Sequence, residues 1–82
     1  MMIIDPTPRF KKQLQKFPPG VREKFYKQAE FLCRDIRHPS LRAKKYDEAK
    51  GVWQARVDDS IRFYFVIEGN VYVLLDVRVH FD

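Results

Sequence analysis

The chain has 82 residues, and its 16 Lys and Arg against 11 Asp and Glu give a formal net charge of +5 at pH 7. This length predicts one domain over residues 1–82, and its seven Phe, four Tyr and one Trp supply large side chains for a thin core. The positive charge favours a polyanion or an acidic protein as partner, whereas the short apolar runs exclude a membrane span or secretory signal, so we expect a cytoplasmic protein.

The N-terminal half predicts a short strand followed by two helices. The stretch IIDP is typical of an edge or first strand, and Thr7 with Pro8 then marks a helix start. Apolar residues recur at spacings of three and four; they are Phe10, Leu14 and Phe17, then Val21, Phe25, Ala29, Leu32 and Ile36. Because only PPG separates the two stripes, we expect an αα-hairpin.

The C-terminal half predicts a basic loop and then a sheet. The stretch RHPSLRAKKYDEAK is basic, and Pro39 and Ser40 near its start signal the end of a helix, which favours a loop. From Gly51 the apolar pattern changes to a period of two, with turns at residues 58–60 and 68–70. The sequence therefore predicts an α+β fold, in which two N-terminal helices pack on one face of a three- to four-stranded, mainly antiparallel sheet.

Alternation along the strands assigns their side chains to two faces. If Val57 faces Ile61 across a three-residue turn, the odd-numbered residues form the face that the helices cover. These residues are Trp53, Ala55, Val57, Ile61, Phe63, Phe65, Ile67, Val71, Val73, Leu75, Val77 and Val79.

Arg56 and Arg62 fall directly opposite each other on the other face. Like charges so placed destabilise a sheet by up to about 1 kcal/mol unless an anion lies between them, so the pair indicates an anion site. The same rule at the second turn sets Asp76 opposite Arg62, with Arg78 and His80 further along the last strand. The alternative is an exposed Arg62–Asp76 ion pair contributing less than about 1 kcal/mol.

From HPSLRAKK through GVWQARVDDSIRFYFVIEGNVYVLLDVRVHF, the chain resembles the RelE/ParE superfamily of bacterial type II toxins, particularly its RelE, YoeB and HigB-like ribonuclease branches. The most specific match is Trp53, Arg56, the turn, Arg62 and then His80 followed by an aromatic residue. The resemblance implies a metal-independent endoribonuclease that cleaves messenger RNA on the ribosome without a cofactor. It also implies a cognate antitoxin as protein partner.

The resemblance implies roles for residues on the arginine face. Arg62, assisted by Arg56, would bind the scissile phosphate, since guanidinium matches phosphate geometry. His80 would be the general acid, because imidazole titrates near neutral pH. Lysines of the basic loop would act in catalysis; Lys45 is our first choice for the general base, and Lys44 and Glu48 remain open. The other RNA- or phosphate-binding candidates are Lys44, Arg42, Arg78 and Phe81.

A departure from the superfamily's pattern keeps other functions open. Several relatives end in a catalytic tyrosine, but Phe81 stands there, and phenylalanine can stack on a base but cannot transfer a proton. The alternatives are a ParE-like, non-enzymatic poison of DNA gyrase and a catalytically weak RNA-binding module.

Tyr64 shares the arginine face by parity and is interpreted as a packing aromatic beneath a partner, whereas Tyr46 is given no role. No spacing of Cys and His residues suggests a metal site.

Overall fold

The computed structural model describes residues 2–80. Its elements are β1 (Ile3–Pro6), α1 (Pro8–Gln15), α2 (Pro19–Arg34), β2 (Lys44–Asp47), β3 (Val52–Arg56), β4 (Ile61–Glu68) and β5 (Val71–Val79). The five strands form one sheet in the order β1-β5-β4-β3-β2, in which only the β1–β5 pair is parallel. Neither helix is long and apolar enough to cross a membrane.

The first helix starts where the sequence predicts and covers an edge of the sheet. Thr7 caps it, because its hydroxyl accepts a hydrogen bond from Phe10 N at 3.2 Å and donates one to Leu74 O at 2.8 Å. Strand β1 stops at Pro6, opposite Leu74, so the rest of β5 has no partner strand on that side. Gln13 Oε1 accepts a hydrogen bond from Val77 N at 3.0 Å, so α1 satisfies part of that open edge.

The helical hairpin packs on one face of the sheet, as predicted. Pro19 is the first residue of α2, so only residues 16–18 connect the helices. The buried core joins helix residues to sheet residues; it includes Phe10, Leu14, Phe25, Leu32, Phe63, Phe65, Leu74 and Val77. The predicted α+β class with two helices on a mainly antiparallel sheet is therefore confirmed.

The sheet has more strands than the three or four that the sequence predicts. Part of the expected basic loop, Lys44–Asp47, is strand β2, which pairs with β3 in the register Lys44 to Gln54 and Lys45 to Trp53. The prediction of a loop is wrong here, because three charged residues and an exposed tyrosine at a sheet edge show no apolar alternation.

The predicted faces are right for β3 and most of β4 but wrong for the first half of β5. Glu68 faces Val71, so the second turn has two residues, and Gly69 (φ +60°) takes the turn position that needs a positive φ. A bulge follows, because Tyr64 faces Asp76 whereas Phe65 faces Leu74, which leaves Leu75 unpaired. Leu74 and Tyr72 are therefore buried in place of the predicted Val71, Val73 and Leu75. The exposed Ile67 and Val79 lie near strand ends.

Candidate phosphate-binding site

A cavity of about 350 Å³ lies on the sheet face opposite the helices. Its lining residues are Arg42, Lys44, Gln54, Arg56, Arg62 and His80. Four of these six are Lys or Arg and none is Asp or Glu. Within residues 2–80, no three His, Cys, Asp or Glu side chains are placed to hold a metal ion. The cavity therefore concentrates positive charge in a concave site, which attracts anions.

Hydrogen bonds fix the Arg62 guanidinium in this cavity and leave one of its edges available to a ligand. Only 8% of its surface is exposed, and its Nη1 donates hydrogen bonds to Asp58 O at 2.7 Å and Ile61 O at 3.3 Å. Nε and Nη2 form no hydrogen bond in the described part of the chain. The guanidinium therefore presents unused N–H donors in the fixed geometry that binds two oxygens of a phosphate.

The turn between β3 and β4 positions both Arg62 and His80. Asp58 Oδ1 accepts hydrogen bonds from Ser60 N and Ile61 N, each at 2.8 Å, which fixes the turn and so the Asp58 carbonyl that holds Arg62. Ser60 O accepts a hydrogen bond from His80 N at 2.7 Å. A guanidinium and an imidazole that are 18 positions apart in the sequence therefore meet at one short turn.

Three arginines lie side by side across β3, β4 and β5. Arg56 faces Arg62, as predicted, and Arg78 rather than Asp76 faces Arg62 on its other side. The two-residue turn and the bulge each shift the predicted register by one position. Arg56 Nη1 lies 3.5 Å from Asp59 Oδ1, and Arg78 Nη1 lies 3.1 Å from Asp76 Oδ2. Arg62 forms no ion pair among residues 2–80, so the alternative of an Arg62–Asp76 pair is wrong.

Arg78 belongs to the arginine face but not to the cavity around Arg62. Its guanidinium lies over the Tyr64 ring, 4.5 Å from the ring centroid. A side-chain hydrogen bond with Tyr64 is the main cause that raises the pKa of Arg78 above its usual high value. Arg78 therefore stays protonated at any working pH, and it lines a second, neighbouring cavity.

A buried glutamine that the sequence analysis did not single out anchors the basic segment. Gln28 Nε2 donates hydrogen bonds to Ser40 O at 3.1 Å and Arg56 O at 2.9 Å, and Gln28 Oε1 accepts one from Ser40 Oγ at 3.0 Å. Arg56 N also donates to Leu41 O at 2.8 Å. These bonds fix residues 40–41 to the end of β3, just before Arg42 enters the cavity. The available signal was a polar residue within the apolar stripe of α2, between Phe25 and Leu32.

We expect Gln28→Ala to lower the free energy of unfolding by about 1–3 kcal/mol, since the Ser40 and Arg56 carbonyls lose their shared donor. Chemical denaturation of the two purified proteins measures this difference. Gln15→Ala is the matched control, because the exposed Gln15 side chain forms no hydrogen bond with any of residues 2–80; its effect should stay within about 0.5 kcal/mol. Equal effects of the two substitutions would contradict an anchoring role for Gln28.

Not all sequence candidates reach the cavity. Lys45 lies on the other side of the sheet, where its ammonium is 5.2 Å from the centroid of the Trp53 ring. This follows from the pairing of β2 with β3, which puts Lys44 on the Gln54 face and Lys45 on the Trp53 face. Glu48 is exposed in the turn after β2 and does not line the cavity. Phe81 lies outside the described residues.

Comparison with known proteins gives structural matches only. No family model matches the chain, and no curated protein matches it in sequence. A YoeB/ParE toxin from Agrobacterium tumefaciens superposes with a TM-score of 0.78 at 16% identity, covering 98% of this chain and 100% of that one. A chain of the toxin-antitoxin complex RelBE2 from Mycobacterium tuberculosis gives 0.76 at 21% identity, covering 96% and 98%. A chain of the archaeal RelE-RelB complex from Pyrococcus horikoshii gives 0.80 at 16% identity, covering 95% and 93%. The chain therefore has the fold of the RelE/ParE superfamily of toxins.

Proposed function

We propose that this protein is the toxin of a type II toxin-antitoxin system and a metal-independent endoribonuclease that cleaves messenger RNA on the ribosome, in the cytoplasm. One observation carries the proposal: the free edge of Arg62 and the side chain of His80 line one cavity in which none of the described lining residues is Asp or Glu. The fold supports it, because matched structures include chains of toxin-antitoxin complexes. The class of reaction is inferred from the ribonuclease branches of the RelE/ParE superfamily, which this chain resembles in sequence.

The proposed reaction is attack by a ribose 2′-hydroxyl on the adjacent phosphate. A bond forms between the 2′-oxygen and phosphorus, the bond from phosphorus to the 5′-oxygen breaks, and the products are a 2′,3′-cyclic phosphate and a 5′-hydroxyl. Arg62 binds the non-bridging oxygens through Nε and Nη2, and Arg56 and Arg42 add positive charge where the phosphorane develops. His80 donates the proton that the leaving 5′-oxygen needs.

The 2′-hydroxyl proton needs an acceptor, and we propose Lys44. Of the three candidates Lys44, Lys45 and Glu48, it is the one that lines the cavity with Arg62. A lysine can accept a proton only through the lone pair of its neutral amine. An arginine at the same position would keep the charge but could not act as a base.

Lys44→Arg should therefore lower the cleavage rate as much as Lys44→Ala does, by about 10²–10⁴-fold if Lys44 is the general base. Single-turnover cleavage of messenger RNA on programmed ribosomes measures both rates. Lys45→Ala is the matched control, since this neighbouring lysine lies over Trp53, and it should cleave at nearly the wild-type rate. If Lys44→Arg restores the rate that Lys44→Ala loses, Lys44 contributes charge and is not the base.

We further propose that an antitoxin neutralises this chain by covering the cavity with an acidic segment. The support is electrostatic: among residues 2–80 the cavity is lined by four Lys or Arg and by no Asp or Glu, and the chain has a net charge of +5. Co-expression with the product of an adjacent small gene should abolish toxicity. The cationic cavity would then be protected from RNA in the purified complex.

The functional test is to express the chain and map RNA ends, then to repeat cleavage with purified ribosomes. The proposal expects cuts within codons whose products carry 2′,3′-cyclic phosphate (or 3′-phosphate) and 5′-hydroxyl ends. Intact transcripts together with trapped gyrase cleavage complexes would instead identify a ParE-like poison. Ribosome and RNA binding without cleavage would identify a catalytically weak RNA-binding module.

A further inference from the structure

A second, smaller cavity of about 210 Å³ lies on the same sheet face, beside the cavity around Arg62. Its lining includes Tyr46, Tyr64 and Arg78. Tyr64 follows Arg62 by two positions on β4, so their side chains share a face at a spacing of about 7 Å along the strand. The two cavities are therefore close enough for adjacent parts of one extended ligand.

The second cavity is built around an aromatic pair and a guanidinium. Tyr64 is buried, and the Tyr46 ring packs against it with a centroid distance of 4.9 Å and an interplanar angle of 64°. The Arg78 guanidinium lies over Tyr64 and is held by Asp76 at 3.1 Å. Tyr46 is 54% exposed, and its contact with Tyr64 fixes the position of its ring. Flat π-surfaces are thus presented to solvent in a fixed arrangement.

The charges of the two cavities differ in a way that selects the ligand group. Among the described residues, the first is lined by four Lys or Arg and no carboxylate, whereas in the second Asp47 and Asp76 offset the charges of Lys50 and Arg78, so the second is the poorer site for phosphate. Tyrosine rings and guanidinium planes stack on nucleobases, and carboxylates accept hydrogen bonds from base amino groups. The chemistry of the second cavity therefore matches a base rather than a phosphate.

An amide between the two cavities adds a hydrogen-bonding group. Gln54 lines the first cavity and directly faces Tyr64 in the β3–β4 register. Its carboxamide forms no hydrogen bond with any residue the structure describes, and its nitrogen and oxygen are not buried, so they open onto the cavity. A carboxamide offers both donors and an acceptor, which are therefore available to a polar ligand at this point.

We propose that Tyr46 and Arg78 form a nucleobase-stacking subsite, which holds the base next to the phosphate bound by Arg62, with Gln54 hydrogen-bonding to the same nucleotide. This proposal rests on the proposed function for its choice of RNA as ligand. It assigns a role to Tyr46, to which the sequence analysis gave none. Tyr64 then supports the Tyr46 ring and the Arg78 guanidinium instead of contacting a protein partner.

The test compares two uncleavable probes by fluorescence anisotropy: a 2′-O-methyl oligoribonucleotide, and an abasic sugar-phosphate oligomer of equal length and charge. Tyr46→Ala should weaken binding of the base-bearing probe by roughly 5- to 150-fold and leave the abasic probe unchanged. Tyr46→Phe should restore binding, since the ring remains. The matched control is Tyr26→Ala, which removes a similarly exposed tyrosine (57%) from α2 and should affect neither probe. Arg62→Ala should weaken both.

Each outcome separates the subsite from the ribonuclease activity. Base-dependent binding that Tyr46→Ala abolishes supports the subsite even if the ribosome assay shows no cleavage. Equal binding of both probes by the wild-type chain, no effect of Tyr46→Ala, or binding of neither probe overturns the subsite, even if RNA is cleaved on ribosomes. If antitoxin binding is weakened by Tyr46→Ala while both probes bind normally, the patch contacts a protein and the subsite is overturned.

Discussion

Arg62→Ala should reduce messenger RNA cleavage by at least about 10²–10³-fold, the loss expected when a preorganised donor to a developing anion is removed. The side chain is fixed by the Asp58 and Ile61 carbonyls and forms no ion pair in residues 2–80, so its donors are oriented before the substrate arrives. Single-turnover cleavage on programmed ribosomes measures the loss. Arg62→Lys should recover only part of the rate, because an ammonium lacks the planar fork.

Arg62→Ala also removes the donor to the Asp58 and Ile61 carbonyls, so folding must be measured in the same experiment. Circular dichroism and thermal unfolding of each variant separate a local loss from general unfolding, and added guanidinium ion should restore part of the Arg62→Ala activity if the empty site keeps its shape. Arg34→Ala, which changes an exposed arginine at the end of α2, is the matched control and should leave the rate unchanged. A folded Arg62→Ala protein with wild-type activity would remove Arg62 from the mechanism.

His80→Gln should lower the cleavage rate by about 10²–10⁴-fold, the range for loss of a general acid. Glutamine keeps a hydrogen-bonding side chain but cannot supply a proton. The backbone bond from His80 N to Ser60 O is unaffected by the substitution, so the end of β5 should stay in place. The rate is measured as for Arg62.

A substrate with a sulfur leaving group tests the assignment of His80 directly. When sulfur replaces the bridging 5′-oxygen, the leaving thiolate needs no proton, so His80→Gln should cleave this substrate at nearly the wild-type rate. Arg62→Ala is the matched comparison, and its deficit should remain, because phosphate binding is still required. An equal deficit of His80→Gln on both substrates would show that His80 does not act as the proton donor.

The sequence predicts those parts of the fold that depend on neighbouring residues. The cap at Thr7 follows from a threonine directly before Pro8. The apolar stripes of both helices follow from spacings of three and four along one chain segment. The opposition of Arg56 and Arg62 follows from a short turn, in which the Asp58 side chain binds the next backbone N–H groups. Local hydrogen bonds and local periodicity are enough for these features.

The arrangement of the site required the tertiary structure. Whether Asp76 or Arg78 faces Arg62 depends on the length of the β4–β5 turn together with a bulge at Leu75, and which lysine enters the cavity depends on the pairing of β2 with β3. Gln28 reaches Ser40 and Arg56 from another layer of the fold. A shift of one residue moves a side chain to the opposite face of a sheet, and alternation alone does not report such a shift. The sequence by itself thus determined the two helices, the arginine pair and the superfamily resemblance. Only long-range strand pairing decided that Lys44, and not Lys45, shares a cavity with Arg62 and His80.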